Sequence, residues 1–198
     1  FSKNYLSDLG RVNTVAGMDN YIPFLCFNSA LIILSVVFSF YFLFLPSIYD
    51  ESAEIQNISR VGSVFGFLAS LCFAGVAYTP ADLFIDAHIF FADWLFRLMN
   101  MTIVFYAVTY IMMKKNYFIF SFIFGIVALV VTAHIILSDF GLAKFFDEPH
   151  TVRVLSQKAA TISLLISVPL MTVYNQKRLS SHPITLRILA LKNYSLFI

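Results

Sequence analysis

Five long apolar runs, separated by polar breaks, constrain this chain more than any other feature of its sequence. They cover residues 22–45, 61–78, 88–113, 117–137 and 154–174. A helix needs about 20 mostly apolar residues to cross the hydrocarbon core of a bilayer. The strands of an outer-membrane barrel would be shorter and would alternate in polarity along each run. The sequence therefore predicts an all-α fold, a polytopic bundle with five transmembrane helices.

The composition excludes the main soluble classes of protein. Hydrophobic residues make up 60% of the chain and charged residues only 12%, whereas a soluble domain has roughly 25% charged residues. Disorder and an ordinary soluble enzyme are therefore excluded. The formal charge of +2 is too small to indicate a nucleic-acid partner. The expected partners are the lipid bilayer and other membrane subunits, and no sequence motif indicates a cofactor.

The apolar runs divide the chain into three parts. Residues 1–21 form a polar N-terminal segment, residues 22–174 form the bundle, and residues 175–198 form a tail. The end of the tail is apolar but interrupted by Arg187 and Lys192. Such a stretch is too short and too charged to span a bilayer, so it predicts an interfacial helix.

Charges in the loops predict the orientation. Alternating spans place residues 1–21, 79–87 and 138–153 on one face, and the other loops with the tail on the opposite face. Lysine and arginine outnumber acidic residues on the tail side, and the reverse holds on the N-terminal side. Since a Lys/Arg excess marks the cytoplasmic side, the sequence predicts a cytoplasmic (inner) membrane protein with its C-terminus in the cytoplasm.

Tyrosines near the span ends suggest a boundary on the cytoplasmic side. Tyr49, Tyr110, Tyr117 and Tyr174 are expected to form an aromatic belt at the membrane surface there.

The predicted orientation places Phe1 outside, although no signal peptide is recognisable. Either a signal was cleaved or another helix precedes Phe1. The N-terminal segment is polar and lacks a small-residue cleavage site. We therefore expect a sixth helix upstream.

Ionisable side chains inside the spans are costly in a bilayer and are functional candidates by default. Asp93, Arg97 and Asn100 follow the spacing of one helix face. Asp93 and Arg97 either neutralise each other within the helix or form the polar wall of a cavity. Lys158, one turn into the fifth span, either extends to the outer interface or joins a charge cluster with Asp86 or Asp93.

Small residues in the second span predict close packing. Gly62, Gly66 and Ser70 recur every four residues, a spacing that lets helix backbones approach closely.

Two histidines lie near the outer ends of the third and fourth spans. His88 and His134, with Asp82, Asp86 or Asp139, have the ligand types that zinc accepts. Lone histidines of this kind also occur as hydrogen-bonded core residues, so no metal ligand is assigned. We expect one shared polar pocket at the outer leaflet, with Asp86 and His88 at its centre. The candidate ligand-binding residues are Ser7, Asp8, Asp82, Asp86, His88, Asp93, Arg97, His134 and Lys158.

Three stretches carry a resemblance to a known family. They are the residues Asn4 to Gly10 (NYLSDLG), the residues Thr79 to Asp82 (TPAD) followed by Asp86 to His88 (DAH), and the residues Ser156 to Lys158 (SQK). Together they resemble a bacterial and archaeal family of six-helix membrane proteins described only as a domain of unknown function. The resemblance implies a helix before Phe1 and a shared fold, but no chemistry.

A more distant likeness is to membrane hydrolases of the ceramidase and adiponectin-receptor class. That likeness would give Ser7, Asp8, His88 and His134 the roles of the serine, aspartate and histidines around a zinc ion. The last span departs from the class pattern, because it has Ser156-Gln157-Lys158 where that class has paired histidines.

These observations predict a binding or accessory subunit of the membrane, with an outward-facing polar pocket for a lipid head group, a small ligand or a partner chain. The first alternative is an intramembrane metal-dependent hydrolase with His88, His134, Asp82 or Asp86 as ligands. The second is a small transporter built around Asp93, Arg97 and Lys158. No catalytic residue is assigned.

Overall fold

The computed structural model describes residues 3–49, 51–113 and 118–181. Within these ranges the chain is helical and contains no β-strand. The five long helices are α1 (Tyr21–Phe44), α2 (Ala53–Tyr78), α3 (Ile85–Met112), α4 (Phe118–Asp139) and α5 (Pro149–Ser181). Each includes a segment long and apolar enough to cross a membrane, so the predicted all-α multi-pass bundle is confirmed.

Two helices, α2 and α5, begin at least five residues before the apolar runs that predicted them. α2 begins at Ala53 instead of residue 61, because the Ser52 side chain caps it by accepting a hydrogen bond from the Ile55 N–H at 3.2 Å. α5 begins at Pro149, a residue suited to the first helical position because that position needs no N–H donor. Polar first turns extend both helices beyond their apolar segments.

α5 continues through Pro169 as far as Ser181. The interfacial helix predicted in the tail lies outside the described residues, as does any helix before Phe1.

Helices that are adjacent in sequence pack against one another, from α1 to α5 in order. α5 also reaches the end of α1, where Thr172 donates a hydrogen bond to the Tyr41 hydroxyl at 3.3 Å. The buried core between the helices includes Met99, Ile103 and Met171.

The small residues of α2 are contact points, as predicted. A Cβ atom at Gly66 would lie 2.6 Å from the ring of Phe42 on α1. The hydroxyls of Ser70 and Ser39 are 2.6 Å apart, joining the same two helices. Close approach of α1 to α2 therefore depends on the absence of larger side chains on α2.

The predicted aromatic belt was wrong for the tyrosines that the structure describes. Tyr49, Tyr110 and Tyr174 are all buried. The Tyr49 hydroxyl donates to Asn175 Oδ1 at 2.9 Å and accepts from the Tyr110 hydroxyl at 3.0 Å. The hydroxyls of Tyr49 and Tyr110 have bonding partners within the bundle, so they need no contact with lipid head groups. Tyr117 lies outside the described residues.

Candidate ligand-binding cavity

The N-terminal end of the bundle, formed by residues 3–20, 79–84 and 140–148, contains a cavity of about 580 Å³. The cavity lies between the N-terminal segment and the adjoining parts of α3, α4 and α5. This size is typical of sites for small ligands, which measure roughly 300–1,000 Å³. Most of its apolar lining comes from α3, namely Ile85, Ile89, Ala92 and Phe96. Its polar lining comes from all four parts and includes Lys3, Asp8, His88, Asp93, Asp139 and Arg153.

Asp82 anchors the N-terminal segment that forms one wall. Its carboxylate accepts hydrogen bonds from the backbone N–H groups of Val12 at 3.0 Å and Asn13 at 2.9 Å. Slight burial raises the pKa of Asp82, but these two hydrogen bonds, a backbone hydrogen bond within Asp82 and the charge of Arg11 together lower the pKa below its usual value. The charge of Asp82 is therefore used to hold backbone in place.

Further polar contacts fix the same segment on other helices. Gln157 of α5 accepts a hydrogen bond from the Leu6 N–H at 3.1 Å. The Asn28 side chain of α1 donates to the Gly10 carbonyl at 3.3 Å, and a Cβ at Gly10 would lie 2.8 Å from Phe27. The N-terminal segment is thus held by α1, α5 and the connection between α2 and α3.

His88 lies in the first turns of α3 and is only 5% exposed. Its Nδ1–H donates to the backbone carbonyl of Thr79 at 2.7 Å, which leaves Nε2 with a lone pair. Among the residues that the structure describes, Nε2 has no hydrogen-bond partner. His88 lines the cavity, so this buried and unsatisfied nitrogen belongs to a residue of the cavity wall.

His134 has the structural role of a bonded core residue. The Ser156 hydroxyl donates to the Arg153 carbonyl at 2.9 Å, so its oxygen accepts from His134 Nδ1–H at 3.0 Å. The ring packs edge-on against Phe96 with centroids 4.6 Å apart. These contacts join α3, α4 and α5 at the floor of the cavity.

Arg97 bridges two carboxylates at the cavity. It lies 3.8 Å from Asp93, the predicted partner one helical turn away, and 2.8 Å from Asp139 at the end of α4. The predicted pairing of Asp93 with Arg97 is confirmed, but the shorter ion pair is the one to Asp139, which the helical spacing could not reveal.

The cavity includes part of the predicted set and excludes the rest. Ser7, Asp8, His88, Asp93 and His134 line it. Asp82 anchors backbone, and Arg97 lies behind Asp93 and Asp139.

The other two members of the set lie elsewhere. Lys158 is buried but does not line the cavity. Asp86 is exposed and lies outside the lining. Placing Asp86 at the centre beside His88 was therefore wrong, because residues two apart on a helix point in different directions.

Sequence reasoning missed several lining residues: Lys3, Arg11, Asp139, His150 and Arg153. In the sequence, Lys3, Arg11 and Arg153 stand out only as loop charges, and Asp139 only as an accessory metal ligand. The signal was present in the alternation of spans, which brings every one of them to the same end as His88. Exposed loop charges do not themselves indicate which of them turn inward.

The metal ligands that a hydrolase needs do not come together. In the described part of the chain, no group of three His, Cys, Asp or Glu side chains is arranged to hold a metal ion. Asp82 and His134 are engaged by other protein groups, and Asp86 faces away from the lining.

The chain matches no protein-family model, no curated protein and no solved structure. The five long apolar helices of the described ranges indicate a multi-pass α-helical integral membrane protein.

Proposed function

We propose that this protein is a membrane binding protein whose cavity holds a lipid head group or a small polar ligand. One observation carries the proposal: His88 lines a cavity of about 580 Å³, and its buried Nε2 has no hydrogen-bond partner among the described residues. A buried polar atom without a partner costs roughly 1–3 kcal/mol. A bound ligand that donates to Nε2 would remove that cost.

The mixed lining also supports a head-group site. The apolar lining of Ile85, Ile89 and Ala92 lies beside charged groups from the N-terminal segment and α5. Such a site suits a molecule with a polar part and an apolar part. The ends of membrane-spanning helices lie at the depth where lipid head groups occur.

A binding role fits these residues better than metal-dependent hydrolysis. The carboxylates proposed as metal ligands are separated, with Asp82 bound to backbone N–H groups. The transporter alternative has less support, because Arg97 is committed to two carboxylates. We further propose that the N-terminal end faces outward from a cytoplasmic membrane, as the loop charges predict.

The proposal is tested by filling the cavity. Ala92 lines it, whereas Ala133 on α4 is exposed and lies outside the lining. Ala92→Trp should abolish lipid adducts in native mass spectrometry of protein mixed with a polar lipid extract of the expression host. Ala133→Trp should leave them unchanged. Equal adduct populations in the wild type and Ala92→Trp would show that the cavity is not the binding site.

A further inference from the structure

The carboxylates at the cavity all have cationic neighbours. Asp8 lies 3.6 Å from Arg11. Asp93 and Asp139 share Arg97, at 3.8 Å and 2.8 Å. None of the three is therefore available as an uncompensated negative charge for a cationic ligand.

Two cations at the cavity differ in this respect. Within the described ranges, no carboxylate lies within 4 Å of the side chains of Lys3 or Arg153. Both line the cavity, and the backbone of Lys3 is held at α5 by His150, whose Nε2–H donates to the Lys3 carbonyl at 2.7 Å. Arg153 follows His150 by three positions on α5 and so lies on the same face. Lys3 and Arg153 thus form a cationic rim.

The total charge around the cavity follows from these side chains. Four cations (Lys3, Arg11, Arg97 and Arg153) stand against three carboxylates (Asp8, Asp93 and Asp139). A ligand with one net negative charge balances this shell, whereas a zwitterion leaves one positive charge uncompensated.

His88 adds a requirement for a hydrogen-bond donor. Its Nδ1–H is fixed on the Thr79 carbonyl at 2.7 Å, so Nε2 of the neutral ring accepts. A hydroxyl group meets this requirement without adding positive charge beside the cationic rim. An ammonium group would also donate, but it would cancel the negative charge that the rim needs.

We propose that the cavity binds a singly charged phosphodiester head group that carries free hydroxyls, of the glycerol or inositol type. The phosphate lies at Lys3 and Arg153, and a hydroxyl donates to His88 Nε2. This inference rests on the proposed binding function and specifies the ligand class of the same cavity. Arginine and lysine both suit phosphate oxygens, and arginine can bind them in a bidentate manner.

The anionic part is tested by titrating the detergent-solubilised protein with phosphatidylglycerol or phosphatidylethanolamine and counting bound lipid by native mass spectrometry. Phosphatidylglycerol should bind at least about tenfold more tightly than phosphatidylethanolamine, and Arg153→Gln should remove about tenfold of that affinity. Lys144→Gln is the matched control, because Lys144 is exposed at the same end and does not line the cavity.

The hydroxyl part is tested with phosphatidylmethanol, which has the same net charge as phosphatidylglycerol but no free hydroxyl. The wild type should prefer phosphatidylglycerol about fivefold or more. His88→Phe should lose this preference while still binding phosphatidylmethanol. The wild-type comparison remains decisive even if His88→Phe does not fold.

Soluble glycerophosphoglycerol distinguishes a lipid from a free ester. If this compound binds with the same dependence on Arg153, the head-group chemistry is supported and the ligand comes from a soluble source. If only the lipid binds, the ligand comes from the bilayer.

Two results would overturn the inference: equal binding of phosphatidylethanolamine, or equal losses from Arg153→Gln and Lys144→Gln. If Ala92→Trp still abolished lipid adducts, the proposed binding function would stand and only the ligand class would fail. Lipid adducts insensitive to Ala92→Trp would overturn both.

Discussion

Arg97 shows how the environment of one residue depends on more than its own helix. The side chain is about one-third exposed and joins carboxylates on α3 and α4. Its Nη2 donates to Asp139 Oδ1 at 2.8 Å, whereas the intrahelical contact to Asp93 is 1 Å longer. Arg97 therefore ties the end of α4 to α3 at the edge of the cavity.

Replacing Arg97 should destabilise the bundle modestly. Arg97→Gln leaves Asp93 and Asp139 without their cation, and a partly exposed network of this kind contributes about 1 kcal/mol. Asp139→Asn should lower the free energy of unfolding more than Asp93→Asn does, because the ion pair of Asp139 with Arg97 is the shorter one. Thermal unfolding in detergent, followed by helical circular dichroism, measures these differences.

Arg60→Gln is the control for Arg97→Gln, since Arg60 is exposed and bonds only to Asn57 at 3.4 Å among the described residues. Replacing Asp93 and Arg97 together should not restore stability, because Asp139 stays unpaired. Full recovery in that double variant would show that the intrahelical pair acts alone.

At the scale of the element, the N-terminal segment is an irregular stretch fixed by side chains from other parts of the chain. It contains one short 3₁₀ helix, Leu6–Gly10, and its backbone N–H groups bond to Gln157 and Asp82. Irregular backbone needs such partners, since buried N–H groups without them are costly. The wall of the cavity is therefore only as stable as these few bonds.

Acid should release the N-terminal segment through Asp82. Because the folded pKa of Asp82 is lowered, its stabilising effect is complete above the unfolded value of about 3.9. The effect is lost as the pH falls through the lower folded value. Asp82→Asn should remove most of this stabilising effect at neutral pH. Hydrogen exchange at the Val12 and Asn13 N–H groups should then be about fivefold faster.

Hydrogen exchange with mass spectrometry at pH 7 compares this variant with Asp86→Asn, which alters an exposed carboxylate on the same end of the bundle. Asn13→Cys, labelled between pH 5 and pH 3 with a dithiodipyridine that reacts with thiols in acid, reports the acid transition. Unchanged exchange in Asp82→Asn would mean that the segment is held without Asp82.

Helix packing gives a second prediction for the elements. Gly66→Ala on α2 places a methyl group 2.6 Å from the buried ring of Phe42, so it should destabilise the protein by about 1–3 kcal/mol through overpacking. Gly125→Ala on α4 meets open space and should be neutral or stabilising by up to about 1 kcal/mol, through helix propensity. The unfolding temperatures of the two variants test this, since Gly66→Ala should lower the temperature and Gly125→Ala should leave it unchanged or raise it.

At the scale of the whole molecule, the five helices place the connections at alternate ends. The connection after α1 lies at the end opposite the cavity, and the connection between α4 and α5 lies at the N-terminal end. The orientation of the bundle in the membrane is a prediction from the loop charges, which favour an N-terminal end on the outside.

Cysteine labelling in intact cells tests this orientation. A cysteine at Asp147 should react with an impermeant maleimide, and one at Ser47 should react only after the membrane is permeabilised. Both positions are exposed. The background is a variant with Cys26 and Cys72 replaced, since both are free thiols. If only the cysteine at position 47 reacted in intact cells, the orientation would be the reverse of the predicted one. If both cysteines reacted, the five-span topology would be contradicted.

The sequence by itself determined the class of fold and the approximate position of every span. Bilayer crossing requires a long apolar run, so hydropathy along the chain is sufficient to detect it. It also predicted that Asp93 pairs with Arg97, which the structure confirms, and that the small residues of α2 lie at a packing contact. These features depend only on distances within one helix or on side-chain size.

Tertiary structure decided which polar residues face a common space. Asp86 and His88 are two residues apart, yet one is exposed and the other is buried against the cavity. Tyr49 and Tyr110 face each other instead of the membrane surface. These outcomes depend on the rotation of each helix about its axis and on contacts between residues distant in sequence. The sequence of a single span specifies neither the rotation of its helix nor its contacts with distant residues.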